Sequence, residues 1–185
     1  MFSQQVARAE TLASLGYQAF KVEPMMSTPD DVVELAFLVD TPEPYAKLAA
    51  KTSIPLAMGE HGVTRWEFLE MMDRGGVTVV QPYMTTCGGL TEAKRIVELA
   101  APRGVLVCPG NWSTQILGAA SVHLAAYSPI TPFIEFAPAE VFESPLRREL
   151  QNAGFPVRNG VFALPERPGI GYQLPAEILQ TFRIR

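Results

Sequence analysis

An α/β fold built on a parallel sheet is what this sequence predicts, on three observations. Short apolar runs at 54–58, 77–80, 104–108 and 133–136 each give way to glycine, proline or a polar residue. The first three of these runs are followed by helix-like stretches. Strands alternating with helices of about 10–15 residues imply right-handed βαβ units and a parallel sheet. A chain of 185 residues, 48% hydrophobic and 18% charged, suffices for one globular domain with a substantial core.

The elements follow in order. Residues 3–15 repeat apolar positions at helical spacing, with Val6, Ala9, Leu12 and Ala13 on one face, and Gly16 ends the helix. Residues 17–22 read as a strand closed by Glu23-Pro24. Ser27, Pro29 and the acids Asp30 and Asp31 form a helix start, since a hydroxyl cap and negative charge suit the positive end of a helix dipole. The run 32–38 fits helix or strand. A helix over 43–51 follows Pro42 and Pro44. Then come strand 54–58, helix 64–74, strand 77–80, helix 91–101, strand 104–108, helix 113–127 and strand 133–136. Beyond 137 the chain is rich in proline and glycine and ends in a short amphipathic tail. Residues 1–136 are thus expected as the sheet-and-helix domain, with 137–185 an extension packing on it.

Composition excludes several classes. No apolar run approaches the roughly 18–20 residues of a membrane span. The start lacks the charged and long apolar regions of a secretory signal. Cys87 and Cys108 have no metal-ligand spacing and read as two reduced thiols of a cytoplasmic protein. Fifteen basic residues against nineteen acidic ones leave −4, and the basic residues scarcely cluster, so nucleic acid is not an expected partner. An anionic small substrate requires local positive charge, which a divalent cation held by carboxylates supplies.

The motifs place acids and polar groups where the strands end. In a βα unit, Gly59-Glu60 puts a carboxylate at the carboxyl end of a parallel strand, where barrel enzymes keep their chemistry. Residues 53–60 (SIPLAMGE), Gln81-Pro82, residues 87–92 (CGGLTE), Trp112, Phe133-Ile134-Glu135 and residues 168–171 (PGIG) occur in this order. Together they resemble the carboxyl-terminal barrel domain of the enolase superfamily, in its mandelate racemase and muconate-lactonizing branch. The resemblance covers residues 4–185. It implies an incomplete TIM-type (β/α) barrel of about six parallel strands with the capping domain absent. It also implies Mg²⁺ held by acids at strand ends, and a base that takes the proton beside the carboxylate of a sugar-acid substrate to give a metal-stabilised enediolate. A barrel short of strands leaves an edge that another copy or a companion chain would cover.

Carried over residue by residue, Glu60 matches the third metal ligand and Asp40 the second, or else the first. The plain alternative for both is a solvated acid at a strand end. Lys21 matches the first lysine of a Lys-x-Lys pair, and Glu23 replaces the second, commonly the base; Glu23 is a candidate to meet substrate, as a base or an additional cation ligand, with a solvated strand-end acid the plain alternative. The family's His-Asp base dyad is missing, with Tyr83 where Asp is usual and Gly110 where His is usual. Tyr83, Asn111 and Trp112 are candidates to line a substrate pocket, with packing the alternative for Trp112. Glu135 matches a last-strand glutamate that contacts substrate. His61, beside Glu60, is an acid–base candidate or an ordinary surface group. His123 falls within a helix and reads as structural, and Gly88-Gly89 reads as a tight turn. Two function classes follow: a Mg²⁺-dependent lyase or isomerase acting on a sugar acid, and a shortened, catalytically silent relative serving as an interaction module or part of a split enzyme.

Overall fold

The structure is a computed structural model that describes residues 10–11, 13–16, 41–53, 55–112, 114–136, 144–154 and 157–184. Its centre is a parallel sheet of three short strands, β1 (Ala57–Met58), β2 (Val79–Val80) and β3 (Leu106–Val107), in that spatial order. Helix α1 (Pro42–Ala49) precedes β1, α2 (Arg65–Asp73) joins β1 to β2, α3 (Gly89–Ala100) joins β2 to β3, and α4 (Gln115–Tyr127) follows β3. The register pairs Ala57 with Val79 and Val79 with Leu106, and one step on pairs Met58 with Val80 and Val80 with Val107.

Because side chains alternate along a strand, these two rows face opposite ways. Met58, Val80 and Val107 are buried in one cluster with Phe68, Met71 and Met72 of α2 and with Ala93, Ile96, Val97 and Ala100 of α3. The other row stays more open, and Leu106 is 40% exposed. The core is therefore the layer between sheet and helices. Ion pairs clasp the helix layer from outside. Arg103 bonds Asp73 at 2.6 Å, and Arg74 reaches both Glu70 and Glu43. Such exposed pairs contribute little each, about 0–1 kcal/mol. Among the described residues neither Cys87 nor Cys108 forms a disulfide, and burial pushes the Cys87 thiol up to about 11.

One expectation changes here. The strand over 133–136 is an extended segment rather than a ladder strand. It lies beside β3, held where Val107 N–H donates to Ile130 O at 2.9 Å and Glu135 N–H donates to Pro109 O at 3.1 Å. Pro132, between these anchors, has no N–H to give. As expected of an incomplete barrel, the described residues hold a parallel sheet of three strands that does not close. The expected strand 17–22 and the run 32–38 lie outside the described residues.

The carboxyl-terminal region holds more regular structure than expected. Ser144 caps α5 (Pro145–Ala153), its hydroxyl accepting from Arg147 N–H at 3.2 Å. The strands β4 (Val157–Arg158) and β5 (Val161–Phe162) form a hairpin around Asn159-Gly160, whose φ values of 51° and 71° are those of a two-residue type I′ turn. Helix α6 (Ala176–Thr181) completes the chain. Helix α5 packs on α4 at its end, where a Cβ on Gly154 would lie 3.2 Å from the Gln115 side chain. No helix among the described residues is long and apolar enough to cross a membrane.

Candidate active site

The carboxyl ends of β1, β2 and β3 lie along one edge of the parallel sheet. After β1 the chain turns sharply through residues 59–62, with Gly62 N–H donating to Gly59 O at 3.0 Å. Gly59 holds φ at 124°, a conformation that favours glycine. The Phe68 ring sits directly beneath. A Cβ on Gly59 would lie 2.6 Å from its Cε1, and one on Gly62 2.7 Å from its Cε2. With the floor filled by Phe68, Glu60 and His61 are turned toward solvent. Their side chains are 39% and 73% exposed, with His61 Nε2 3.4 Å from Glu60 Oε1. Tyr45 of α1 is buried nearby. Desolvation, and secondarily the charge of Glu60, push its phenol above the ordinary range. The sequence reading missed Tyr45, because an aromatic on an amphipathic helix looks like any core residue.

The ends of β2 and β3 are tied together. Gly110 N–H donates to Pro82 O at 3.3 Å. The Tyr83 ring occupies the space that a side chain at 110 would need. A Cβ there would press into Cε2 and Cδ2 and lie 2.6 Å from Cζ. The Tyr83 hydroxyl accepts from the Trp112 backbone N–H at 3.2 Å, and the Trp112 indole N–H donates to Glu135 Oε1 at 2.6 Å. Residues that follow β2 and β3, and one from the extended segment beside β3, thus form one hydrogen-bonded row, Tyr83–Trp112–Glu135.

Asn111 departs from expectation. It is 4% exposed and faces α4 rather than the open edge. A Cβ on Gly118 would lie 3.0 Å from both Asn111 Nδ2 and Gln115 Oε1. Lys21, Glu23 and Asp40 lie outside the described residues. The donors suit a hard cation in part, since Glu60 offers a carboxylate oxygen of the kind Mg²⁺ takes. Among the described residues no three His, Cys, Asp or Glu side chains gather into one group.

Comparison with known proteins places this geometry. Residues 31–178 match the family described as enolase C-terminal domain-like. The chain is 30% identical over 148 residues to D-galactarolactone cycloisomerase of Agrobacterium fabrum, covering 76% of this chain. It is 29% identical over 140 residues to arabinonate dehydratase of Saccharolobus solfataricus, again covering 76% of this chain. It spans 38% and 36% of those relatives' own lengths. The crystal structure of a mandelate racemase/muconate lactonizing enzyme from Jannaschia sp. CCS1 superposes with a TM-score of 0.71 at 31% identity, over 80% of this chain and 37% of that one. The parallel sheet, the acids at its strand ends and the family match agree: this chain belongs to the enolase C-terminal domain-like family.

Proposed function

We propose that this chain forms the catalytic portion of a Mg²⁺-dependent lyase or isomerase that takes the proton from the carbon beside the carboxylate of a sugar acid. The observation that carries the reading is that Glu60, Tyr83 and Trp112 follow the carboxyl ends of β1, β2 and β3, with Glu135 of the neighbouring extended segment held by the Trp112 indole at 2.6 Å. The relatives' names, a galactarolactone cycloisomerase and an arabinonate dehydratase, support the substrate class.

In this reading Glu60 and Asp40 hold Mg²⁺, which when bound neutralises charge on the substrate carboxylate. Lys21 and His61 are the groups for moving the proton, with Glu135 and Glu23 accepting substrate hydroxyls. The setting is the cytoplasm, where Cys87 and Cys108 stay reduced. A second copy or a companion chain covers the open row of Ala57, Val79 and Leu106.

A silent relative is the second reading. One observation favours it: the Tyr83 ring fills the place where the resemblance puts a histidine side chain, so that base dyad has no room at Gly110. Calorimetry with Mg²⁺ tests the first reading. Saturable heat at millimolar Mg²⁺ is expected, with at least a tenfold loss of affinity in Glu60→Gln. A folded protein that gives no heat contradicts it.

A further inference from the structure

We propose that Asn159 is a site of spontaneous self-modification. Its side-chain amide is lost to attack by the Gly160 backbone nitrogen, and the product breaks the contact that holds the end of the amino-terminal helical turn. The site lies on the hairpin of β4 and β5 and is independent of the proposed function.

Three observations single this residue out. The chain has three asparagines, Asn111, Asn152 and Asn159, and only Asn159 is followed by glycine. Glycine has no side chain to screen its amide nitrogen from a neighbouring carbonyl. Asn159 is exposed, and among the described residues its side-chain amide has no hydrogen-bond partner. Its φ of 51° makes it the one non-glycine residue with positive φ among those described, a conformation that residues other than Asn and Asp rarely hold. The flanking strands, Val157–Arg158 and Val161–Phe162, are two residues each. A two-stranded hairpin is marginally stable by itself, so the turn opens at little cost and the nitrogen can approach the carbonyl.

The chemistry needs water and no oxidant or reductant. The Gly160 nitrogen bonds to Asn159 Cγ and the Cγ–Nδ2 bond breaks. Nδ2 leaves as ammonia, carrying the proton that Gly160 N gave up. The cyclic imide then takes up water. Opening at Cγ leaves aspartate. Opening at the backbone carbonyl leaves isoaspartate, in which the main chain runs through Cβ and Cγ and the old carbonyl becomes a free carboxylate.

That carbonyl is the group that meets Gly16. Gly16 closes the amino-terminal helical turn, its N–H donating to Ala13 O at 3.0 Å, with φ at 89°. A Cβ on Gly16 would lie 2.7 Å from Asn159 C and 2.9 Å from Asn159 O, so the two backbones leave no space for a side chain between them. A carboxylate formed at those atoms is poorly solvated if it stays, and parts the two segments if it turns to water. Isoaspartate at 159 therefore frees Gly16.

The test holds folded wild-type protein in mildly alkaline buffer and samples it over time. Peptide mass spectrometry is expected to show the mass gain of an amide turned acid in the peptide bearing Asn159, with Asn111 and Asn152 unchanged. An isoaspartyl methyltransferase with a labelled methyl donor is expected to label that same peptide. Hydrogen exchange in residues 13–16 is expected to rise in step with the label. Asn159→Gly keeps a residue suited to positive φ and has no amide to lose, so it is expected to show neither the mass gain nor the rise. Retention of the Asn159 amide in the folded protein, while the urea-unfolded chain loses it, would overturn the site. Conversion with unchanged exchange at 13–16, or the same rise in Asn159→Gly, would overturn its consequence.

Discussion

Phe68→Ala is expected to cost about 3–5 kcal/mol of folding stability, the usual range for removing a fully buried aromatic side chain. Phe68 has no exposed surface and belongs to the cluster that joins the sheet to α2 and α3. Against a total of about 5–15 kcal/mol, that loss approaches unfolding. The effect extends past the core, because the same ring supports the turn bearing Glu60 and His61 from below. Urea titration of the wild type, Phe68→Leu and Phe68→Ala measures it. The leucine variant fills part of the space and is expected to lie between the other two. A midpoint for Phe68→Ala unchanged from the wild type would show that the ring is not the floor of the turn.

Gly110→Ala is the second large effect, and its cause is purely steric. Gly110 is not among the residues with positive φ, so alanine meets no backbone penalty. Its methyl group would instead collide with the Tyr83 ring. Overpacking of this kind costs about 1–3 kcal/mol and sometimes more. Displacing the ring also removes the acceptor from Trp112 N–H. The test is a double-mutant cycle with Tyr83→Ala. If the clash is the cause, Gly110→Ala is destabilising in the wild type and close to neutral in Tyr83→Ala, so the two changes are strongly non-additive. Equal costs in both backgrounds would place the ring elsewhere.

Local signals carried much of the fold. The alternation of apolar runs with helical spacing located β1, β2 and β3 and the helices α1 to α4 to within a few residues, because each depends on a pattern readable over a short window. Glu60 was legible for the same reason, since an apolar run, a glycine and an acid adjoin in sequence. Features that depend on contacts across the sheet were not. The substitutions at Tyr83 and Gly110 looked like two separate losses of a base dyad, whereas in space one residue fills the gap left by the other. Asn111 read as a mouth residue because it follows a strand end, yet it turns under α4. The segment 133–136 had the apolar character of a strand, but Pro132 denies it a full ladder. In the last fifty residues, Ser144-Pro145 and Asn159-Gly160 are ordinary signals for a helix start and a hairpin turn. They were overlooked within a stretch read only as rich in proline and glycine.

The account's central claim is that these strand ends perform proton chemistry beside a carboxylate. Incubation of the purified protein with Mg²⁺ and a panel of sugar acids in D₂O, followed by proton NMR, tests this most directly. The account predicts that at least one acid loses its signal at the carbon next to the carboxylate, through exchange or conversion, and that Glu60→Gln abolishes the loss. Retention of that signal by every acid, with the protein shown to be folded, would contradict it.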